Sequence, residues 1–472
     1  MDTPNFEPRR RALPEGFLAS LQARFGERYS DAQAVRDHHG RDESPYPPML
    51  PDAVVFAQTT EDVAWLARQC HAHHVPLIPF GAGSSLEGHL LAVQGGVTVD
   101  LSGMNQVLTI HAEDFTATVQ AGVTRKQLNE ALRDTGLFFP IDPGADASLG
   151  GMAATRASGT NAVRYGTMRE NVMSLKVVTA DGRIIQTANR ARKSSAGYDL
   201  TRLFVGSEGT LGIIVEVTVR LYPQPEAISA AICNFPDLDS AVRSVIEVIQ
   251  LGVPVARVEF MDAGAVRATN QYSHLNLQET PLLLFEFHGS PASVREQATQ
   301  VQDVTRDHGG MDFEWAERPE DRSRLWTARH NAYFAALQLV PGCRASTTDV
   351  CVPISRLADC VGQTAAELDQ ASFPYTIVGH VGDGNFHVLM LLDPNDPAQW
   401  VESEQLNRRL VERALAMDGT CTGEHGVGLH KQTFMQAEHG QDALDVMAAI
   451  KAVLDPHNVL NPGKVLPSQP TS

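Results

Sequence analysis

Three segments rich in glycine, alanine and serine place the strongest constraint on how this chain can fold. They occupy residues 79–89, 142–166 and 204–217, and the first reads PFGAGSSLEGH. Glycine weakens helices and strands and lets other groups approach the backbone closely, so we expect loops in these segments, with the third leading into a strand after Gly212. A ligand that lies along the backbone readily explains two such runs in one chain, because bare N–H groups can approach a phosphate.

The first segment matches neither of two common nucleotide-binding motifs. Leu86 occupies the third glycine position of the dinucleotide motif G-x-G-x-x-G, and no Gly-Lys-Ser/Thr follows as in a Walker A loop. Taken alone, the segment is therefore a weak signal, and a tight turn is the alternative explanation.

Length and composition indicate a folded chain of about three units at roughly 150 residues per domain. Of the 472 residues, 43% are hydrophobic and 20% are charged. Lys and Arg number 38 against 56 Asp and Glu, and the net charge of -18 would repel the phosphates of a nucleic acid. Because no apolar run of about 18 residues occurs, we expect at most peripheral membrane association.

Cysteine usage and the amino-terminal sequence bear on the cellular compartment. The six cysteines include no C-x-x-C pair, which fits reduced thiols rather than a disulfide framework or a thiolate zinc site. The first residues lack the apolar stretch of a secretory signal, and the basic run at residues 9–11 is expected to be a solvated tail. We therefore expect a cytoplasmic protein, with peripheral binding at an inner membrane face as an alternative.

Helix and strand patterns predict two domains flanked by terminal segments. Prolines interrupt the chain at YPPMLP and again after a strand of alternating valines that ends near Leu221. Beyond that strand, β-patterns alternate with amphipathic helices, which predicts an antiparallel sheet with helices on one face. The predicted ranges are 1–46 for an N-terminal segment, 47–225 and 226–455 for the two domains, and 456–472 for a tail that returns to the first domain.

Histidines cluster in two further glycine-rich motifs. GHVGDGNFH contains His380 and His387, and TGEHGVG contains Glu424 and His425. Each histidine alone would more often be structural, but two imidazoles and a carboxylate together form a credible set of ligands for a divalent metal. The set suits zinc with an open position, but it also matches the facial triad of non-haem iron, and manganese fits as well.

An arginine in LWTARHNAYFAA is a candidate anion-binding residue. Arg329 lies on a predicted helix, where its planar guanidinium could hold a carboxylate through two parallel hydrogen bonds. The alternative is an exposed helix arginine.

Taken in order, the three glycine-rich segments resemble the FAD-binding domain of the vanillyl-alcohol-oxidase superfamily, also called PCMH-type, over about residues 47–225. The motifs GH-x-GDGN-x-H and GEHG are similar to those of metal-dependent, FAD-linked D-2-hydroxyacid dehydrogenases, which extends the resemblance to about residue 464. It implies an α+β fold, with a PCMH-type FAD-binding domain and an α+β substrate (cap) domain built on an antiparallel sheet. It also implies non-covalent FAD, because Ser84 stands where some relatives carry a flavin-linking histidine.

The resemblance assigns FAD contacts by position. The first loop would wrap the pyrophosphate, the second segment would line the pyrophosphate and the isoalloxazine, and the third would lie near the adenosine. The matching residues are Pro79, Gly81, Gly83, Ser84, Ser85, Gly88, Pro143, Gly144, Ala147, Gly150, Gly151, Ser158, Gly159, Ala162, Glu208, Gly209, Ile214 and, with Lys464 in the returning tail, Asn461.

The resemblance also implies how the histidine motifs would act. A metal on the substrate hydroxyl would lower its pKa, an imidazole would take the proton, and the C2 hydrogen would leave as hydride to the flavin. The implied roles are metal binding for His380, His387 and Glu424, a substrate contact for Asn385, general base for His425 and carboxylate binding for Arg329.

The position one helical turn after Arg329 and the stretch TDVCVPISRL bear on substrate choice within the family. Relatives that act on 2-hydroxyglutarate have a threonine one helical turn after the arginine, where this chain has Tyr333. A bulky aromatic side chain there favours a short or apolar substrate tail, and TDVCVPISRL resembles the D-lactate branch. We therefore predict oxidation of D-lactate to pyruvate, with glycolate and D-2-hydroxyglutarate as alternatives.

Two alternatives come from other functional classes. A metallohydrolase would use the same metal ligands to activate water while the glycine-rich loops held a nucleotide, and a non-catalytic subunit would bind flavin only. The sequence contains no iron–sulfur spacing, haem motif or nicotinamide motif, so a quinone, a cytochrome or another electron carrier is expected to accept the electrons. Nothing in the sequence indicates an oligomeric state.

Overall fold

The computed structural model describes residues 10–467, apart from the side chains of Ala328 and His330. The helices are α1 (Phe17–Phe25), α2 (Gln33–His39), α3 (Thr60–His73), α4 (Arg125–Ala131), α5 (Leu149–Thr155), α6 (Ala162–Tyr165), α7 (Met168–Asn171), α8 (Leu200–Phe204), α9 (Leu238–Gln250), α10 (Ala263–Ser273), α11 (Pro291–Asp307), α12 (Pro319–His330), α13 (Ala332–Leu339), α14 (Leu357–Leu368), α15 (Pro397–Ala416) and α16 (Met435–Leu454).

The strands, together with these helices, confirm the predicted α+β class. They are β1 (Tyr29–Ser30), β2 (Ala53–Phe56), β3 (Leu77–Phe80), β4 (Val97–Asp100), β5 (Val107–His111), β6 (Thr116–Gln120), β7 (Leu137–Phe138), β8 (Val172–Val178), β9 (Ile184–Gln186), β10 (Ile213–Arg220), β11 (Tyr222–Pro223), β12 (Ala227–Asn234), β13 (Val255–Met261), β14 (Leu282–Gly289), β15 (Met311–Ala316), β16 (Arg344–Thr347), β17 (Val350–Cys351), β18 (Tyr375–Gly379) and β19 (Asn385–Leu392).

The chain forms two compact units. We call residues 10–158, 166–224 and 424–467 the glycine-loop unit, and residues 159–165 and 225–423 the large-sheet unit. Residues 10–46, predicted as a separate segment, belong to the glycine-loop unit, and apart from the one-residue shift at Pro225 two stretches lie in a different unit than predicted. Residues 159–165 belong to the large-sheet unit because α6 packs on β13. Residues 424–455 belong to the glycine-loop unit, where Lys451 donates to the carbonyl of Thr210 at 2.8 Å.

The glycine-loop unit contains two main sheets. In the first, the order is β1-β2-β4-β3, and β4 pairs in parallel with both β2 and β3. The second is antiparallel with the order β5-β6-β10-β8-β9. Strand β10 joins the two cores, because Ile213 and Val215 pack with the first sheet while Val217 and Val219 pack inside the second.

The chain ends of this unit are held by hydrogen bonds. Leu460 forms a parallel bridge with Leu77 of β3, so the C-terminal segment extends the first sheet. Arg11 donates to the carbonyl of Asn458 at 2.9 Å. Arg9 lies outside the described residues, but the expectation of a solvated basic tail is wrong for Arg11, which ties the amino-terminal segment to the C-terminal one.

The large-sheet unit is built on one antiparallel sheet. Its order is β15-β12-β14-β13-β18-β19-β16, and β17 also pairs with β19. Helices α10, α12 and α13 pack on the face that carries Leu282 and Leu284. Alternate residues such as Phe285 are equally buried, and α11 contacts β14 and β12. Because both faces of β14 are covered, the expectation of helices on one face is wrong.

Two further observations concern the helices. Within residues 10–467, none of the helices combines the length and the hydropathy needed to cross a bilayer. The stretch predicted as one helix around Arg329 is two, because α12 ends at His330 and α13 begins at Ala332. Tyr333, which is 44% exposed, therefore lies on the next helix rather than one turn further along the same one.

Candidate functional site

The first glycine-rich loop leaves the end of β3, which includes Pro79, and has the features of an anion cradle. Gly83 and Gly88 have φ angles of +74° and +80°, a region that side chains disfavour, so glycine is required for this path. Ser84 and Ser85 are partly buried. The hydroxyl of Ser85 is itself buried and has no hydrogen-bond partner among the described residues. A buried orphan hydroxyl beside bare backbone fits a polar ligand such as the phosphates of FAD.

The second segment contacts the first loop. Ser148 caps α5 by accepting from the N–H of Gly151 at 3.4 Å. A Cβ at Gly81 would lie 2.5 Å from the Ser148 hydroxyl, and a Cβ at Gly150 would lie 2.5 Å from Ala121. Gly81 therefore allows the first loop to approach the second segment, and Gly150 allows α5 to approach the backbone after β6. A Cβ at Gly144 would meet nothing within 4 Å, so the backbone there lies open to a ligand.

The other predicted FAD residues of this segment divide between the two units. Pro143, Ala147 and Ser158 belong to the glycine-loop unit, whereas Gly159 and Ala162 belong to the large-sheet unit. Their contacts with FAD stay predictions.

The third segment joins the C-terminal segment through Glu208. Its carboxylate oxygens accept from the backbone N–H groups of Val427 and Gly428 at 2.7 and 2.8 Å. Asn461 donates to the carbonyls of His89 and Glu208 at 3.1 and 2.8 Å. Burial disfavours a charged imidazole, but the Glu208 carboxylate 3.1 Å away raises the pKa of His89 above its usual value.

These contacts define what the predicted adenosine-side residues do. The side chains of Glu208 and Asn461 already have protein partners, and Ile214 is 5% exposed within the apolar core. A Cβ at Gly209 would lie 2.4 Å from the ring of Pro79, so this glycine allows the third segment to approach β3. Direct contact of these residues with FAD stays a prediction, and their observed role is to bring three distant segments together.

The first histidine motif forms a tight turn in the large-sheet unit. His380 follows β18, and Asn385 begins β19. Gly384 has a φ of +82°, and a Cβ there would lie 2.1 Å from the carbonyl of Val352, so only glycine fits. The turn brings the rings of His380 and His387 to a centroid distance of 5.6 Å.

Both imidazoles are oriented through Nδ1. His380 Nδ1 lies 2.7 Å from an oxygen of Glu259, and His387 Nδ1 lies 3.0 Å from the carbonyl of Thr348. An Nδ1–H bonded to oxygen leaves Nε2 as the nitrogen with a lone pair, which is the usual arrangement of metal-binding histidines. The pair therefore fits a divalent metal.

Glu259 also holds the predicted carboxylate-binding arginine. The Nε of Arg329 donates to its second oxygen at 2.7 Å, and the Glu259 side chain is fully buried. Burial alone would raise the pKa of Glu259, but His380 and Arg329 outweigh it and hold this pKa below its usual value. One carboxylate thus places a cation beside an imidazole that is predicted to bind a metal. Sequence reasoning missed Glu259, although a charge inside the apolar strand VARVEFM was a detectable signal.

Asn385 is oriented by another residue that sequence reasoning missed. Its amide nitrogen donates to Asp349 and to the carbonyl of Val350, both at 2.8 Å. Asp349 is fully buried and also accepts from the Thr422 hydroxyl at 2.8 Å. The amide oxygen of Asn385 is buried without a hydrogen-bond partner among residues 10–467, so it could accept a hydrogen bond from a ligand.

The second histidine motif begins in the large-sheet unit and continues in the glycine-loop unit. Gly423 is the last residue of the large-sheet unit, and Glu424 and His425 start the C-terminal stretch of the glycine-loop unit. Glu424 is partly buried. Its place in one metal site with His380 and His387 stays a prediction. His425 Nδ1 lies 3.2 Å from the buried carboxylate of Glu87, at the end of the first glycine-rich loop.

Comparison with known proteins gives concordant matches over nearly the whole chain. The family described as FAD linked oxidases, C-terminal domain, matches residues 224–465, and the FAD binding domain family matches residues 51–188. A Danio rerio protein named probable D-lactate dehydrogenase, mitochondrial, is 55% identical over 96% of this chain and 92% of its own length. The Arabidopsis thaliana D-lactate dehydrogenase [cytochrome], mitochondrial, is 45% identical over 96% of this chain and 81% of its own length.

A solved structure matches the fold alone. The 4-ethylphenol oxidase from Gulosibacter chungangensis superimposes with a TM-score of 0.78 at 20% identity, covering 97% of this chain and 99% of that one.

Proposed function

The chain belongs to the FAD-linked oxidase family, and on that premise we propose that it oxidises D-lactate to pyruvate and passes the electrons to a quinone, a cytochrome or another carrier. Relatives named D-lactate dehydrogenase support this substrate. The observation that carries the proposal is the Glu259 contact pair, because one buried carboxylate holds both Arg329 and His380. A 2-hydroxyacid needs these two groups, a cation for its carboxylate and a site that activates its hydroxyl.

The residues then divide the work. When bound, FAD supplies a hydride acceptor and a divalent metal supplies a Lewis acid for the hydroxyl. Arg329 binds the substrate carboxylate, and the Nε atoms of His380 and His387, with Glu424 proposed from its motif, hold the metal. Asn385 offers its amide oxygen to the substrate. His425 takes the hydroxyl proton while the C2 hydrogen leaves with its electron pair.

The family membership argues against the metallohydrolase, because hydrolysis has no use for a flavin. Glycolate and D-2-hydroxyglutarate remain the alternative substrates. Anaerobic stopped-flow measurement of flavin bleaching by D-lactate, L-lactate, glycolate and D-2-hydroxyglutarate tests the choice. We expect D-lactate to bleach the flavin fastest, and faster bleaching by any of the other three would overturn the assignment.

A pair of arginine variants on α12 tests the carboxylate anchor. Arg329→Lys keeps the charge but loses the planar fork, so we expect the Kd for D-lactate in flavin reduction to rise by about 10-fold or more. Arg324→Lys is the matched control, because Arg324 lies on the exposed side of α12, where it pairs with Glu314 of β15. Equal Kd values for both variants would exclude Arg329 from substrate binding.

The cofactors are tested separately. Chelation should abolish flavin reduction without releasing FAD, and elemental analysis by mass spectrometry should find zinc, manganese or iron. An active, metal-free protein would make the histidines structural. Because Ser84 replaces the flavin-linking histidine of some relatives, we propose that FAD is bound without a covalent bond. Acid precipitation should therefore leave the yellow colour in the supernatant, and a yellow pellet would contradict this.

A further inference from the structure

Glu87 occupies a position that the proposed reaction does not explain. It lies at the end of the first glycine-rich loop with a side chain only 2% exposed, and its two oxygens face two different imidazoles. One oxygen lies 3.2 Å from Nδ1 of His425, and the other lies 2.8 Å from Nδ1 of His430. A buried carboxylate that contacts the same nitrogen of two histidines is arranged to orient them.

The backbone around Glu87 fixes these contacts. Its carbonyl accepts from the N–H of Leu429 at 2.8 Å. A Cβ at Gly428 would lie 2.1 Å from the same carbonyl, and Gly428 has a φ of +51°, so the turn requires glycine there. The C-terminal turn is thus held to Glu87 through both the main chain and the side chain. The imidazole of His425 therefore has little freedom to leave the carboxylate.

A buried lysine completes the cluster. The side chain of Lys431 is fully buried, and its Nζ lies 3.8 Å from the Glu87 oxygen that faces His425. Burial alone would raise the pKa of Glu87, but Lys431 and the two imidazoles hold it well below the usual value. An ionised carboxylate only accepts hydrogen bonds, so each facing Nδ1 must carry a proton.

We propose that Glu87 is the positioning residue of His425, holding its imidazole as the Nδ1–H tautomer so that Nε2 carries the lone pair that takes the substrate proton. This inference rests on the proposed function, in which His425 is the base. In the balanced step, the hydroxyl proton would move to His425 Nε2. The C2 hydrogen would leave as hydride, with both electrons of the C2–H bond, to the flavin when FAD is bound, and the C2–O bond would become a carbonyl. The same carboxylate links the base to the loop that is expected to hold the FAD phosphates.

The first test is kinetic and uses the FAD-loaded enzyme. Glu87→Gln replaces one acceptor oxygen with an NH₂ donor, so the imidazole can turn or change tautomer. We expect the limiting rate of flavin reduction by D-lactate to fall about 100-fold or more, with the Kd for D-lactate changing less than about threefold. Glu87→Asp keeps the charge and should restore part of the rate. His430→Gln keeps a donor to Glu87 and is the matched control, expected within about threefold of the parent rate.

The second test needs no substrate. Imidazole ¹⁵N NMR reports which ring nitrogen carries the proton, and the His425 signals are identified by their loss in His425→Asn. We expect the Nδ1–H tautomer in the parent enzyme and a mixed or Nε2–H population in Glu87→Gln. If the parent fails to oxidise any hydroxyacid but shows this tautomer change, the proposed function fails while the tautomer control by Glu87 stands.

Other outcomes would overturn the inference. A parent-like reduction rate in Glu87→Gln would do so, as would an Nε2–H tautomer of His425 in the parent. A loss of bound FAD or metal with an unchanged rate per remaining flavin would make Glu87 a loop-holding residue only. Equal losses in Glu87→Gln and His430→Gln would likewise reduce the cluster to a structural one.

Discussion

Removing the carboxylate of Glu259 should destabilise the large-sheet unit strongly. Glu259 is fully buried between Arg329, whose side chain is 16% exposed, and His380. Glu259→Leu leaves the guanidinium without its partner and the imidazole Nδ1–H without an acceptor. Breaking a buried ion pair from one side costs about 3–5 kcal/mol. Glu259→Gln retains one acceptor oxygen for two donors, so we expect a smaller loss of about 1–3 kcal/mol.

Urea unfolding followed by tryptophan fluorescence measures this loss. Three of the four tryptophans, Trp315, Trp326 and Trp400, lie in the large-sheet unit, so the signal reports mainly on that unit. Expressed as a thermal midpoint, the Glu259→Leu loss corresponds to a decrease of about 6–20 °C for a unit of this size. We also expect metal affinity to fall about 10- to 100-fold, because His380 loses the group that orients it.

The control for this experiment is Glu247→Gln. Glu247 also pairs with a histidine, His308 at 2.7 Å, but its side chain is 47% exposed. Surface pairs contribute little, so we expect a change within about 0.5 kcal/mol. A loss below about 1 kcal/mol for Glu259→Leu, or one no larger than that of the control, would refute the reasoning that Glu259 is the buried link between the two groups.

Two further changes test other parts of the large-sheet unit. Burial raises the pKa of Asp262, the N-cap of α10, to about 7, so between the unfolded value and pH 7 the native state holds more protons and stability falls as pH rises. Asp262→Asn keeps the cap and removes this penalty, so we expect the free energy of unfolding in urea titrations to rise by about 2–4 kcal/mol at pH 8, and by less towards pH 5. The control is Asp237→Asn at an exposed N-cap, whose effect on the free energy of unfolding should not depend on pH in this way. The same pH dependence in both variants would contradict the assignment. Gly384→Ala forces a Cβ to within 2.1 Å of the carbonyl of Val352 at a φ of +82°. We therefore expect a lower melting temperature and weaker metal binding. An unchanged melting temperature would show that the turn relaxes to accept the side chain.

Local patterns were enough to predict many elements of this protein. The alternating valines of β10 and the amphipathic pattern of α9 were both visible as periodicity. The glycine-rich motif that contains His380 and His387 was recognisable from its residue types. Such features depend on neighbours in sequence, so the sequence contains the information needed to infer them.

Packing between distant segments was not predictable in the same way. At the break between α12 and α13, the Asn331 side chain donates to the Ser273 hydroxyl of α10 at 2.9 Å, and helices cover both faces of β14. The expectation of a loop across residues 142–166 is likewise wrong for α5, which packs in the apolar core, and for α6, which packs as a short helix on β13.

The sequence by itself determined which candidate reactive and ligand-binding groups this protein contains. It contains the glycine-rich loops, the histidine motifs and Arg329, each recognisable from residue type and spacing. Only the tertiary structure decided how those side chains are oriented. Glu259 lies 70 residues before Arg329 and 121 before His380, and Glu87 lies 338 residues before His425. Burying a carboxylate is costly unless a cation or hydrogen-bond donors surround it, and the fold provides those partners from segments that have no local relation in the sequence.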